Sequence, residues 1–376
     1  MVRFNVKKNR YTVKNPFLYF YLRALDFVFF WIPLLKSNRQ KPQIKKILVV
    51  QLAHIGDLIL STSIFPVIKK KYPSAKIDIL IGSWSGEIIH NHPLVNHIYY
   101  LDHPKNNRRN IHLIKKFVKF LLQWFCLTKL LKKNNYDVSI DLSVYYPNSH
   151  VLTHFAKIPK TIGYGNGGAS SFLTNVFNWS FCEDHISLSY EKLLGDIDIS
   201  PSQTLFLSPY LAYIQKKPKR SKENPYIIFH PFSGDPKKNW KNVSWVKLLH
   251  LFSNTHFKII FTGKGQLERT QVRNMIKDFG FAENCISSYS IEELQNIVYY
   301  SKLVISVDTM LGHLAAALDV PTISIFNNFS NPKIWHPPSN NAHFLSPSKH
   351  SASTDVPSAL EVYQLVNKVL QIRTPL

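Results

Sequence analysis

Along most of this chain, apolar positions alternate between two spacings. Residues 45–52 are a short, β-branched apolar run that reads as a strand, and residues 57–73 then carry apolar side chains at helical spacing. Strand patterns return at 75–82 and 96–102. A long helical pattern spans 111–133, and another strand pattern spans 136–143. The alternation resumes with strands at 225–231, 257–265, 303–308 and 321–326, and helices at 245–254, 291–302, 310–318 and 358–372. Strand and helix in regular alternation predict an α/β fold with parallel, doubly wound sheets.

The chain is 376 residues long, which suits two domains better than one. Between the two alternations the sequence is rich in Pro, Lys and Ser, as a linker is. The expected division is an arm over 1–43, a Rossmann-like domain over 44–205, a linker over 206–224 and a second Rossmann-like domain over 225–376. Two such domains are expected to face each other across a cleft at the carboxyl ends of their strands, where open α/β sheets bind ligands. Within the arm, residues 17–35 are nearly all apolar and approach the length of a membrane span. Arg23 and Asp26 stand near the middle, and each costs about 2.5–3.5 kcal/mol at a bilayer centre. A helix lying in the membrane interface, or docked on the protein, suits the segment better than a span. It has no small-residue cleavage site of the kind that marks a secretory signal.

Charge adds a partner class. The formal net charge is +23, and residues 1–50 and 101–133 carry +10 and +8 of it. No zinc-finger spacing or RNP-type aromatic motif accompanies this charge, which argues against nucleic acid. An anionic membrane surface or a phosphorylated lipid remains as the partner. The three cysteines, Cys126, Cys182 and Cys285, have no metal-ligand spacing and fit a reduced, cytoplasmic compartment.

Four motifs follow the predicted strands. Gly56-Asp57 opens the first helix; a carboxylate there accepts a hydroxyl proton or caps the helix. In the second half, Ser233-Gly234 with Lys237 and Lys238 forms a turn suited to phosphate, although lysine-rich loops are also commonly just solvated. Gly263 and Gly265 make a permissive turn before Glu268, a residue type that binds ribose hydroxyls or caps a surface helix. Asp308-Thr309 and His313 sit where a very apolar strand meets an alanine-rich helix. Free N–H groups and the helix dipole favour a pyrophosphate at such a place; a capping aspartate and a core histidine are the alternative.

Taken together and in order, these motifs resemble the heptosyltransferase family of GT-B glycosyltransferases (glycosyltransferase family 9), from about Lys46 to Ile372. The resemblance implies an inverting, metal-independent transfer of a sugar from a nucleotide donor, by analogy ADP-heptose, with no further cofactor. It makes Asp57 the catalytic base. Ser233, Gly234 and Lys238 fall on the donor phosphates, Gly263 and Glu268 on the ribose, and Asp308, Thr309 and His313 in the donor signature. The acceptor it implies is an anionic, lipid-linked glycan such as a lipopolysaccharide core, reached by a peripheral enzyme at the inner face of the cytoplasmic membrane. Lys105, Arg108, Arg109, Lys115, Lys116 and Lys119 are the candidate acceptor contacts. On a helical wheel His112, Lys115, Lys116, Lys119 and Gln123 form a stripe opposite Phe117, Leu121 and Phe125, so a solvated polar face and a sheet-packed apolar face are expected.

Two departures from the family pattern fall beside the expected donor. Met310 follows the Asp-Thr pair where the family has glycine, and residues 327–338 replace a glycine-containing loop. Two other readings fit the same architecture: a nucleotide-sugar epimerase, and a non-catalytic membrane-binding protein.

Overall fold

The computed structural model describes residues 43–371 except 105, 108–110, 145–148, 180–184, 201–208, 210, 212–224 and 348–356, together with residues 20, 23, 24 and 27. Most of the 17–35 segment, the candidate acceptor contacts Lys105, Arg108 and Arg109, and most of the 206–224 linker therefore lie outside the described residues. The chain divides into two compact units, Met1–Leu205 and Phe206–Leu376.

In the first unit the elements run β1 (Lys46–Gln51), α1 (Ile55–Ser61), α2 (Ile64–Lys71), β2 (Lys76–Ile81), α3 (Gly86–Ile89), β3 (His97–Tyr100) and α4 (Leu113–Asn134). They continue with β4 (Val138–Asp141), α5 (His150–Phe155), β5 (Lys160–Tyr164), β6 (Asn175–Phe177) and α6 (Ile186–Gly195). All strand pairs are parallel, in the order β3-β2-β1-β4-β5-β6. The inner strands are buried on both faces, which is why their sequences are continuous apolar runs rather than alternating ones.

The second unit repeats the plan with β7 (Tyr226–His230), α7 (Asn242–Phe252), β8 (Lys258–Phe261), α8 (Gln266–Ile276), β9 (Ala282–Asn284) and α9 (Ile291–Tyr300). Then come β10 (Leu303–Val307), α10 (Met310–Ala317), β11 (Thr322–Ile325), α11 (Pro332–Trp335), β12 (Ala342–Leu345) and α12 (Ala359–Leu370). Its parallel order is β12-β11-β10-β7-β8-β9. In each unit the first strand lies beside the fourth, and the strand order reverses between them. This is the dinucleotide-fold order, whose ligand crevice opens at that reversal. One side of the second sheet buries Phe229, Phe261, Trp245 and Phe252 with Val362 and Val366 of α12.

Two expectations need correction. The helix expected over 57–73 is broken in two. Pro66 has no N–H to give the Thr62 carbonyl, and the Thr62 and Ser63 hydroxyls donate to the Ile59 and Leu60 carbonyls, each at 2.6 Å.

The second correction concerns α4, which is rotated about its axis relative to the expected packing, so that Phe120, Trp124, Leu127 and Leu131 rather than Phe117, Leu121 and Phe125 meet the core. Lys119 Nζ donates to the Asp102 carboxylate at 2.7 Å, Gln123 Oε1 accepts the Asp102 N–H at 3.0 Å, and Lys116 Nζ donates to the Asn107 carbonyl at 2.8 Å. Lys116, Lys119 and Gln123 of the polar stripe thus turn toward the body, His112 and Lys115 stay exposed, and Phe117, Leu121 and Phe125 face outward. Asp102, buried beyond the end of β3, holds this orientation together with the core contacts of Phe120 and Trp124. Burial pushes its carboxyl up, but the Lys119 ammonium and the Ser83 N–H outweigh that and hold it below the usual carboxylate range. An unpaired buried carboxylate costs more than an exposed leucine. On the inward side of α4, Phe120 and Trp124 pack partly buried against the core of this unit, and Leu127 and Leu131 are buried in it.

Candidate active site

The loops after β7 and β10 sit at the strand-order reversal of the second sheet, because β7 and β10 are neighbours there. Adjacency of strands brings together residues that are seventy positions apart. Lys238 Nζ donates to Asp308 Oδ2 at 2.6 Å. The Ser330 hydroxyl, from the loop after β11, donates to the same carboxylate oxygen. Asn327 Nδ2 donates to the Lys237 carbonyl at 2.7 Å, tying that loop to the lysine turn. Asp308 is nearly buried while Lys238 stays about a third exposed, so the carboxylate anchors an ammonium that still reaches solvent.

The lysine turn closes on itself. The Ser233 hydroxyl donates to the Asp235 carbonyl at 2.6 Å, and the Ser233 N–H donates to Asn239 Oδ1 at 2.7 Å. Asp235 Oδ1 accepts the Lys237 N–H at 3.1 Å. Gly234 is exposed at the tip. Ser233, named from sequence as a phosphate contact, thus has its hydroxyl committed to turn geometry.

Thr309 is the N-cap residue of α10, and its side chain makes no capping bond. The first-turn N–H groups of an eight-residue helix therefore point out beside Lys238 and Asp308 with no acceptor from their own cap. Gly312 lets this helix approach the sheet: a Cβ there would lie 2.9 Å from Ser324 Oγ and 3.2 Å from Ser306 Oγ. His313 is buried one turn in, and its Nδ1 has no hydrogen-bond partner among the described residues. Burial pushes the imidazole down to about 4; Asp308 opposes this, and Lys238 and His336 reinforce it. At neutral pH it is an uncharged group with hydrogen-bonding capacity.

Glu268 lies in the first turn of α8 and accepts the Lys264 N–H at 2.7 Å. Burial raises its pKa, and the Lys264 N–H opposes the shift. A Cβ on Gly263 would meet Glu268 Oε2 at 2.4 Å, so only glycine leaves that carboxylate its seat. Gly265 has φ +109°, a backbone conformation that favours glycine.

Asp57 belongs to the first unit, where it follows β1 at that sheet's own reversal. Its Oδ2 accepts the His54 N–H at 3.1 Å, so it caps α1. At the end of the neighbouring β4 the sequence had flagged nothing. There the Ser149 hydroxyl donates to the buried Asp141 carboxylate, and His150 Nε2 lies 3.5 Å from it. Asn327 and Ser330 lie in the 327–338 loop that the sequence placed beside the donor without naming them, and the buried His230, whose Nδ1 lies 2.9 Å from Thr262 Oγ1, was missed. The asparagine-rich composition of residues 327–331 was the available signal for the first two. Those residues line an open pocket with Pro332, Ser346 and Pro347. Among the described residues, no group of three or more His, Cys, Asp or Glu side chains is placed to hold a metal ion.

His230 and His313 predict acid sensitivity. Burial pushes His230 down to about 4 as well, against a Thr262 hydrogen bond that opposes it. Unfolded histidines take up protons near pH 6.5, whereas these two do so only near 4, so stability falls as pH drops through that window. Each contributes a loss of up to about 3 kcal/mol. Urea midpoints at pH 7 and 4.5 measure it. The midpoint should drop, and His230→Gln should shrink the drop; an unchanged midpoint contradicts the assignment.

Comparison with known proteins follows the same lines. Residues 124–363 match the model of glycosyltransferase family 9 (heptosyltransferase). The Escherichia coli lipopolysaccharide heptosyltransferase 3 is 23% identical over 306 residues, spanning 76% of this chain and 84% of the relative. Among solved structures, E. coli heptosyltransferase WaaC with ADP superposes with a TM-score of 0.70 at 19% identity, covering 86% of this chain and 99% of that one. The same enzyme with ADP-2-deoxy-2-fluoro heptose gives 0.67 at 18%, over 86% and 99%. These likenesses carry the fold, that of the GT-B heptosyltransferases, and the family model, which spans well over half of the chain, carries the membership. This chain belongs to glycosyltransferase family 9, the heptosyltransferases, and is a glycosyltransferase.

Proposed function

We propose that the protein transfers heptose from ADP-heptose, with inversion, onto a lipopolysaccharide-core or related glycan anchored in the cytoplasmic membrane, working as a peripheral enzyme on its inner face. The observation that carries this reading is the meeting of Lys238, Asp308 and the uncapped start of α10 at one sheet reversal. Transfer with inversion is a single displacement. The acceptor oxygen forms a bond to the anomeric carbon as the bond from that carbon to the diphosphate oxygen breaks. Asp57 takes the acceptor's hydroxyl proton, and negative charge grows on the departing ADP. Lys238 and the α10 N–H groups meet that charge, the largest electrostatic demand of the reaction. Asp308 holds the lysine in place. The neutral His313 supplies a hydrogen bond to a phosphate oxygen without adding charge. The Gly263 turn seats Glu268 for the ribose hydroxyls, and the asparagines and Ser330 of the 327–331 loop offer partners for sugar hydroxyls.

The relatives' names support the donor and acceptor, and the charge on residues 1–50 and 101–133 supports an anionic, membrane-borne acceptor. Among the described residues no helix is long and apolar enough to cross a membrane. A thermal-shift panel tests the donor. ADP-heptose at a hundredfold over its Kd should add about 2.7 kcal/mol to stability and raise Tm by a few degrees; GDP- and UDP-sugars should do neither. A shift with one of these and none with ADP-heptose removes the donor assignment.

A further inference from the structure

The outward face of α4 has no counterpart in the transfer chemistry. Ile114, Phe117, Val118, Leu121, Leu122 and Phe125 are each between 38% and 66% exposed, although the strands of the same unit are almost completely buried. At 100° per residue these six fill an arc of about 140° along roughly 17 Å of helix. The packing of Phe120, Trp124, Leu127 and Leu131 on the core fixes this arrangement. Because Lys116, Lys119 and Gln123 bond to the body, the outer apolar face cannot turn inward without unpairing Asp102 and withdrawing Phe120 and Trp124 from the core.

The lysines on this helix identify what covers the face. The helix carries six lysines and no acid. Lys115 edges the apolar arc, and Lys129 and Lys132 continue it into the last two turns; all three are exposed. Aromatic rings widen the face at one side, where the half-buried Trp124 meets Phe155 of α5 edge-on at 6.0 Å, with Phe155 itself 53% exposed. An apolar strip with lysines at its edge and end, and aromatic rings beside it, matches a helix lying in the interface of an anionic bilayer. Apolar side chains then enter the acyl boundary while ammonium groups reach the phosphates.

We propose that this face of α4 docks the protein flat on an anionic membrane. The docking gives a surface to the peripheral membrane location in the proposed function and rests on that part of it, not on the transfer chemistry. Its test uses neither donor nor acceptor, so docking and transfer stand or fall separately.

The test is co-sedimentation of the full chain with vesicles of equal parts phosphatidylglycerol and phosphatidylcholine, and with phosphatidylcholine alone. Wild type should partition onto the anionic vesicles at least about tenfold more strongly. F117E/L121E should lose at least about tenfold on the anionic vesicles while keeping its thermal melt, since both side chains are exposed. Undiminished binding by this variant places the docking elsewhere, for example on residues 1–43, and overturns the proposal. So does a wild-type dimer in lipid-free sedimentation that the variant converts to monomer, because a second copy then covers the face. Brominated lipid provides a check should the double variant misfold. It should quench wild-type tryptophan fluorescence, and Trp124→Phe should abolish most of that quenching; equal quenching in both overturns the proposal.

Discussion

Asp57→Asn should lower the rate of sugar transfer by about a thousandfold while leaving donor affinity and the thermal melt near wild type. The amide keeps the shape of the carboxylate, and its oxygen can still accept the His54 N–H that Asp57 accepts at 3.1 Å. The helix cap therefore survives, since Asn and Asp are comparable N-terminal partners. What the amide cannot do is take a proton at neutral pH. Single-turnover transfer from ADP-heptose, run beside a melting curve, separates the two roles. Normal transfer with a normal melt would leave Asp57 as a capping residue only. An Ala variant is less informative, because it also removes the carboxylate's half of the capping box with His54.

Lys238→Met and Asp308→Asn should each slow transfer by about a hundredfold or more, the scale for losing one preorganised donor to a developing negative charge. The two act as a unit: the carboxylate positions the ammonium at 2.6 Å, and only the ammonium is free to reach the leaving group. The double variant should therefore be little slower than the worse single one, whereas independent residues would multiply their effects. Kinetic constants for wild type, both single variants and the double variant close the cycle. Multiplicative losses would show that Asp308 acts on the donor directly rather than through Lys238. Ser330→Ala, which removes the second bond to Asp308, should have the same sign and a smaller size.

The parallel α/β architecture was legible because it is written in local periodicity. Short β-branched runs and helical spacing alternate in the residues themselves, and the strands at 45–52, 225–231 and 303–308 correspond to β1, β7 and β10. Elements between residues 150 and 200 were not legible. There β6 spans three residues, too short for a period to register, and β5, KTIGY, breaks its apolar run with a lysine and a glycine. The single helix expected over 57–73 failed at Thr62, Ser63 and Pro66, where side-chain hydroxyls and a missing N–H compete with the helical ladder.

The individual motif residues could likewise be named from sequence, since each stands at the end of a strand pattern. Their partners could not. Lys238 meets Asp308 because β7 lies beside β10, and Ser330 joins them because β11 lies next to β10. Strand order is a property of the whole sheet and leaves no mark on spacing within a segment. The same limit applies to α4. Its amphipathic pattern told that two faces differ, by the stripe of Lys116, Lys119 and Gln123 opposite Phe117, Leu121 and Phe125. Which face turns inward was decided by partners on other elements: the core that takes Phe120, Trp124, Leu127 and Leu131, and the buried Asp102 carboxylate at the end of another strand. Periodicity records the contrast between faces; only tertiary packing, through core contacts and the cost of leaving a buried charge unpaired, assigns one of them to the protein and the other to what lies outside it.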